Sequence, residues 1–303
     1  MFSLKSPSLA RPLIATAVVT TGAYACHAYL STHPLHADSG RKEPPKTFAG
    51  GWFKDLKLQS VEQVNHNTKR LRFQLPEEDA ISGLPLASAV LSKHTPKGKW
   101  LPVIRPYTPI SKSDEQGHID FLIKHYPDGK ASGHMHSLTP GQTMSFKGPI
   151  PTYKWDANAH SHLVLIAGGM GITPMYQLVC GILDNPVDKT KITLIYGTNT
   201  DEDVHLKKDF DKYQKKFPNR LDVHYTVSQP SKSSPYRKGY ITKELLKEVM
   251  PGPEQGEKIK VVFCGPPAME EAVIGKGSMV YQTAPGGILK ELGYSKEQLL
   301  RLG

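Results

Sequence analysis

The chain has 303 residues, room for two domains, and its 38 % hydrophobic and 22 % charged content is that of a globular protein with a real core. A formal charge of +10 favours acidic partners or anionic surfaces. With no long basic helix, zinc-finger spacing or aromatic RNA-binding signature, nucleic acid is excluded as a partner, and three cysteines (Cys26, Cys180, Cys264) are too few for the four ligands of a plant-type iron–sulfur cluster.

The first 37 residues contain no Asp or Glu and are rich in Ser, Thr and Ala. Within them, "PLIATAVVTTGAYACHAYL" (12–30) is an uncharged run near the lower length for a membrane span. An N-terminal anchor with mitochondrial targeting over 1–37 is the expectation; a cleaved or interfacial segment, or a secretory signal, is the alternative. Residues 38–51, with Pro, Gly and mixed charge, predict a linker.

From 52 to 155 the chain predicts short strands separated by Gly- and Pro-containing turns. "KRLRFQL" alternates, with Leu71, Phe73 and Leu75 on one face; "HIDFLIKHY" (118–126) and "QTMSFKGPI" (142–150) are further strands. That pattern predicts a small antiparallel β-barrel or sandwich. In "VIRPYTPIS" (103–111), Pro106 pushes Arg105 into extended backbone, and the period of two puts Arg105 and Tyr107 on one face. A cationic fork beside a flat ring suits a ligand with phosphate and aromatic parts; an edge strand with an exposed Arg and half-buried Tyr is the plainer alternative. "KHYPDGKASGHMHSL" (124–138) reads as a flexible glycine loop whose backbone N–H groups could meet phosphate. His134 and His136, two apart, lack an apparent third ligand, so no metal is expected there.

From 156 to 303 the rhythm changes. "HLVLIAGG", "KITLIYGT", "LDVHYTVS" and "KIKVVFCG" read as strands, alternating with helices in "TPMYQLVCGIL", "DVHLKKDFDKYQKKF" and "TKELLKEVM". This predicts βαβ units, a parallel sheet, and ligands at the carboxyl ends of its strands. "LVLIAGGMGITPMYQL" (163–178) runs a strand through Gly168, Gly169, Met170 and Gly171 into a helix, with Thr173 as N-cap and Pro174 first inside it. Such a helix start favours a diphosphate or other electron-rich group, although Pro174 stands where the usual dinucleotide fingerprint has its third glycine. In "VVFCGPPAM" (261–269), Cys264 ends a strand and Gly265-Pro266-Pro267 turns into a helix. Cys264 has no activating base in view; a ring-positioning role or a small buried apolar side chain are its two readings.

"RPYTPIS", "KGPI", "GGMGITPM" and "CGPPAM", in this order and spacing, resemble the NADH-cytochrome b5 reductases, within the ferredoxin-reductase-like flavoenzymes. The resemblance covers roughly 52–303, and the N-terminal segment resembles that of the fungal mitochondrial form. It implies an enzyme with an FAD-binding barrel (52–155) followed by an NAD(P)-binding α/β domain (156–303). Arg105 and Pro106 would hold the FAD diphosphate, with Tyr107 along the isoalloxazine ring, Thr108 a polar contact and Tyr126 beside it. Gly133, His134, Met135 and His136 would offer backbone donors, at a place where the family often has a lysine for His134. Lys124 would reach toward the nicotinamide nucleotide. Thr173 would contact the flavin ring while Gly169, Met170 and Gly171 approach the nicotinamide side, with Gly168 and Pro174 in the same cofactor-binding loop; Cys264, Gly265, Pro266 and Met269 would form the other wall of the nicotinamide pocket.

Thr173, Cys264 and Lys124 are the candidate catalytic residues, and no metal is implied. Where the family usually has an aspartate that disfavours a 2′-phosphate, this chain has Ser228, followed by Lys232, Arg237 and Lys238, so NADPH use alongside NADH is expected. The implied acceptor is cytochrome b5 or another acidic haem protein. The implied state is a monomer tethered through its N-terminal segment to the mitochondrial outer membrane, or released into the intermembrane space by processing. A related reductase serving a quinone or an oxygenase, and a tethered nucleotide-binding module without turnover, are the alternatives.

Overall fold

The computed structural model describes residues 43–275 and 286–302, so the expected targeting segment and anchor (1–37) lie outside the described residues. Among the described residues no helix is long and apolar enough to cross a membrane.

The first half is a six-stranded antiparallel sheet of β1 (Lys54–Gln63), β2 (Thr68–Gln74), β3 (Ser88–His94), β4 (Val103–Tyr107), β5 (His118–Lys124) and β6 (Thr143–Pro151), ordered β4-β3-β6-β1-β2-β5. Alternation along β2 turns Leu71 and Phe73 inward, and Leu75 follows just past the strand. Phe73 meets Phe121 and Phe146 edge-on at centroid distances of 6.0 and 5.0 Å, and Phe121 stacks on Phe146 at 5.0 Å. The edge strands β4 and β5 are not paired with each other, so the expected barrel is a curled sheet left open along one seam. Asp120 on β5 lies fully buried opposite Arg72 on β2 and accepts hydrogen bonds from Arg70 and Arg72. Burial opposes its ionisation, but the Arg72 and Arg70 hydrogen bonds hold its carboxyl below the usual carboxylate range.

Part of the stretch expected to be a linker belongs to this half. Phe48 is buried in the core of the sheet, and the Thr47 N–H donates to the Ile81 carbonyl at 2.8 Å. The apolar side chain of Phe48 finds a pocket that the local Pro- and Gly-rich composition does not advertise.

A second correction concerns 124–138. Residues Lys130–Ser137 form a helix (α1) with Gly129 at its N-cap, not a flexible loop. Its Met135 is fully buried in the first-half core, which is the tertiary contact that overrides the two glycines.

The second half is a parallel sheet of β7 (His162–Gly168), β8 (Lys191–Thr198), β9 (Leu221–Val227), β10 (Arg237–Lys238), β11 (Ile259–Cys264) and β12 (Leu299–Arg301), ordered β10-β9-β8-β7-β11-β12. The connecting helices are α2 (Ile172–Asp184), α3 (Lys207–Lys216), α4 (Lys243–Val249), α5 (Pro267–Ile274) and α6 (Gly287–Glu291). Two helix starts differ from expectation. α2 begins at Ile172 with Gly171 as its cap, so Thr173 and Pro174 lie inside its first turn. The helix expected from Asp203 begins only at Lys207, after a 3-10 turn over Asp201–Asp203 and a left-handed Leu206.

The halves pack directly. Ala87 is buried in the core around β7 and α2, with Leu86, Tyr153 and Trp155 against it. The Gln177 side chain on α2 brackets Ser88, accepting from its N–H at 2.9 Å and donating to its carbonyl at 3.2 Å.

Candidate functional site

The chain order of the parallel sheet fixes where a ligand can enter. From β7 the chain steps outward through β8, β9 and β10, then returns to place β11 on the other side of β7. The crevice between β7 and β11 is thus the switch point, where loops leave in opposite directions and a ligand finds room. Both glycine-bearing loops expected from the sequence leave from there: Cys264 at the end of β11 pairs with Ala167, one residue before Gly168.

The packing of these loops explains their composition. A Cβ at Gly171 would collide with the Cys264 carbonyl, and one at Gly168 with Met269 and Pro266. Gly169 differs: its φ is +51° and a Cβ there would meet nothing within 4 Å, so bare backbone faces open space. That surface is fit for a flat ring to approach. Thr173 is buried and its hydroxyl donates to the Met170 carbonyl at 3.1 Å, bracing the same turn. Burial pushes the Cys264 thiol up to about 11, so it stays neutral at physiological pH and is no thiolate nucleophile.

In the antiparallel half, Arg105, Pro106 and Tyr107 line a pocket of about 620 Å³. Its far wall is Tyr126 and the segment from Asp128 through Gly129 into the first turn of α1, Lys130, Ala131 and Ser132. The start of α1 therefore borders the pocket that holds Arg105, and the unpaired N–H groups of a helix start are suited to a diphosphate. Burial, with Tyr126 nearby, pushes the Tyr107 phenol up to about 12 although Arg105 opposes the shift, so it remains a neutral ring. Thr108 follows β4, half-buried.

Several candidate donors are placed elsewhere. The Gly133 N–H already donates to the Gly129 carbonyl at 2.7 Å, and Met135 points into the core. His134 stacks on His94 with ring centroids 3.4 Å apart, and His136 donates through Nε2 to the Ile123 carbonyl at 2.7 Å. The pocket-lining residues lie four positions earlier, Gly129–Ser132, which sequence reasoning missed. The signal was "PDGKAS": a glycine entering a short helix, visible only once 130–137 is read as helical.

The Arg105 pocket and the β7–β11 crevice lie close together. β5 lies against the Gly169–Gly171 turn, and Tyr126, two residues past its end, is a near neighbour of Asp203 and Cys264. Lys124 ends β5 and is turned to Asp203, its Nζ donating to the carboxylate at 2.9 Å.

Residues 55–155 match an oxidoreductase FAD-binding domain and 165–274 an oxidoreductase NAD-binding domain. NADH-cytochrome b5 reductase 2 of Botryotinia fuckeliana is 52 % identical over 84 % of this chain and 74 % of that one. The chain belongs to the NADH-cytochrome b5 reductases. The reductase of the same name from Neosartorya fischeri is 45 % identical over 99 % of this chain and 94 % of its own. Among solved structures, the cytochrome b5 reductase domain of Ulva prolifera nitrate reductase superposes on this reductase with a TM-score of 0.73 at 26 % identity, covering 85 % of this chain and all of that one. The CS-b5R domains of human Ncb5or, in an NAD+ form, give a TM-score of 0.68 at 25 % identity over 83 % and 70 %. The two domain matches meet the two observed sites: Arg105, Tyr107 and the α1 start fall inside the first, and the Gly168–Gly171 and Cys264–Pro266 loops inside the second.

Proposed function

We propose that this chain is an NADH-dependent flavin reductase that passes electrons singly to cytochrome b5, with FAD held between the halves. The observation that carries the reading is that a pocket lined by a cation, a flat neutral ring and a helix start lies close to bare glycine backbone at the switch point of a parallel sheet. Bound FAD supplies the chemistry, accepting a hydride and releasing electrons one at a time.

The protein's part is orientation. Arg105 is suited to a bidentate grip on the FAD diphosphate, with the N–H groups at Lys130–Ser132 completing the cradle. Tyr107 offers its face to the flavin ring system, while Thr173 holds the Gly169–Gly171 turn in shape. Gly169 lets a nicotinamide ring come close on one side, and Cys264, Gly265 and Pro266 bound it on the other. No acid or base of this chain is needed for that chemistry; what its residues would supply is the orientation of the two ring systems.

Ser228 follows β9 with its hydroxyl 3.4 Å from the Asn199 carbonyl, and Arg237 pairs with Glu248 at 2.9 Å. With no carboxylate at 228 to repel a 2′-phosphate, NADPH is a usable second donor. Tethering through 12–30, a mitochondrial outer-membrane or intermembrane-space location, and a monomeric state complete the proposal; the acid-free, hydroxyl-rich N-terminus supports the first two.

Turnover of the purified yellow protein with NADH and NADPH, against ferricyanide and cytochrome b5, tests the reading. The expected result is reduction of both acceptors with flavin bound in a one-to-one ratio. A colourless protein with no NADH oxidation would overturn it.

A further inference from the structure

At the end of β5 the two halves are joined by a small, largely buried polar cluster that the mechanism above does not use. The Lys124 ammonium and the Asp203 carboxylate sit 2.9 Å apart, with side chains only 18 % and 6 % exposed. Asp203 is held from several directions. Its second carboxylate oxygen accepts from the Thr200 hydroxyl at 3.0 Å, and its carbonyl accepts from the Tyr196 hydroxyl at 3.1 Å and the His205 N–H at 2.9 Å. From the antiparallel half, Asn65 donates to the Glu202 carbonyl at 2.9 Å, and the Thr68 hydroxyl lies 3.4 Å from His205 Nε2.

The Asp203 carboxylate is thus fixed by its own strand and loop, whereas a lysine ammonium on a four-carbon stem would otherwise sample many positions. An ammonium carries three N–H bonds; among the described residues Lys124 gives one, to Asp203. Lys124 also ends the strand that lies against the Gly169–Gly171 turn.

We infer that Asp203 is a positioning residue for nicotinamide-nucleotide binding, holding the Lys124 ammonium across the junction of the halves so that an anionic diphosphate meets it already aimed. The inference rests on the reductase reading and adds to it a binding group, Lys124, together with the residue that sets it. Because the carboxylate also partly cancels the lysine charge, its effect has two opposed parts. If orientation dominates, removing Asp203 weakens NADH binding; if charge cancellation dominates, removing it strengthens binding.

The test is Asp203→Asn, which keeps the shape and removes the charge-assisted hydrogen bond, assayed with the flavin-loaded enzyme. The KM for NADH is expected to rise about tenfold, while kcat at saturating NADH falls by a smaller factor and flavin content holds. In a Lys124→Ala background the same substitution is expected to leave KM where Lys124→Ala alone puts it, since the only group Asp203 positions is gone. An unchanged KM with a lowered Tm, a KM that falls, or effects that simply add would each overturn the inference. Should Asp203→Asn fail to fold, Thr200→Val decides: it frees the carboxylate without removing its charge. A KM raised about threefold supports the assignment and an unchanged KM overturns it. Loss of NADH turnover in the unmutated protein would instead strike the reductase reading itself.

Discussion

The two halves build their share of the cleft from different materials. In the antiparallel half the pocket is made of side chains: Arg105 and Tyr107 project from β4, and the start of α1 closes over them. In the parallel half it is made of backbone: Gly168 and Gly171 are glycines because neighbouring atoms leave no room for a Cβ, and Gly169 because its φ is positive. A side-chain site tolerates change in small steps, since a removed group costs its own contacts. A backbone site fails all at once, because an added methyl must displace a neighbouring chain.

The sharpest way to break that contrast is Gly171→Val. Its branched side chain would drive the β7 loop off Cys264, and kcat/KM for NADH is expected to fall at least about 100-fold with flavin still bound. Full activity would mean that the backbone contact carries no function. Next comes Asp120→Ala in the antiparallel half, which leaves Arg70 and Arg72 without their shared carboxylate; both arginines keep access to water, and chemical denaturation should show a loss of about 2 kcal/mol. Arg105→Ala is a graded change. Flavin affinity measured by fluorescence is expected to drop about 10- to 100-fold, with Tm of the flavin-free protein within a degree or two. Ser228→Asp is smaller again: the ratio of kcat/KM for NADH over NADPH should rise about tenfold, and no change in that ratio would remove 228 from the specificity argument.

The mildest effect concerns pH and the stacked histidines of the antiparallel half, on top of a decline from buried His205 in the parallel half, whose pKa burial pushes down to about 4. Burial lowers the pKa of both His94 and His134, and the closeness of His94 adds to the shift of His134. The unfolded chain therefore binds protons first as pH falls. The stacked pair contributes stability that is complete above the ordinary histidine value of 6.5 and declines as pH drops below it. Thermal melts from pH 8 to 5 should show the decline, and His134→Phe should make it shallower while the His205 part remains; an unaltered slope in that variant would assign the whole decline to other groups.

How much was legible beforehand varied with the range of the interactions involved. The strand–helix alternation after residue 156, the loop at Gly168–Gly171 and the turn at Cys264–Pro267 were readable because each is a local pattern. The helix at 130–137 was not, since Gly133 and two histidines oppose it locally and contacts distant in sequence, the burial of Met135 foremost, hold it. The same error placed the candidate phosphate donors at Gly133–His136 and not at the pocket-lining helix start, Lys130–Ser132. Asp203 gave no sign at all: its partner Lys124 is 79 positions earlier, and a pair separated that far leaves no trace in spacing.

The order of motifs and the period of the apolar residues settled the family and the two sheet types, because period 2, helical period and glycine placement are properties of neighbouring residues. Tertiary structure alone decided which helix start borders the Arg105 pocket, that Phe48 belongs to the core, and that Lys124 is turned to Asp203. Those outcomes depend on which distant segments share a volume, and a side chain's partner there is chosen by packing and charge across the fold.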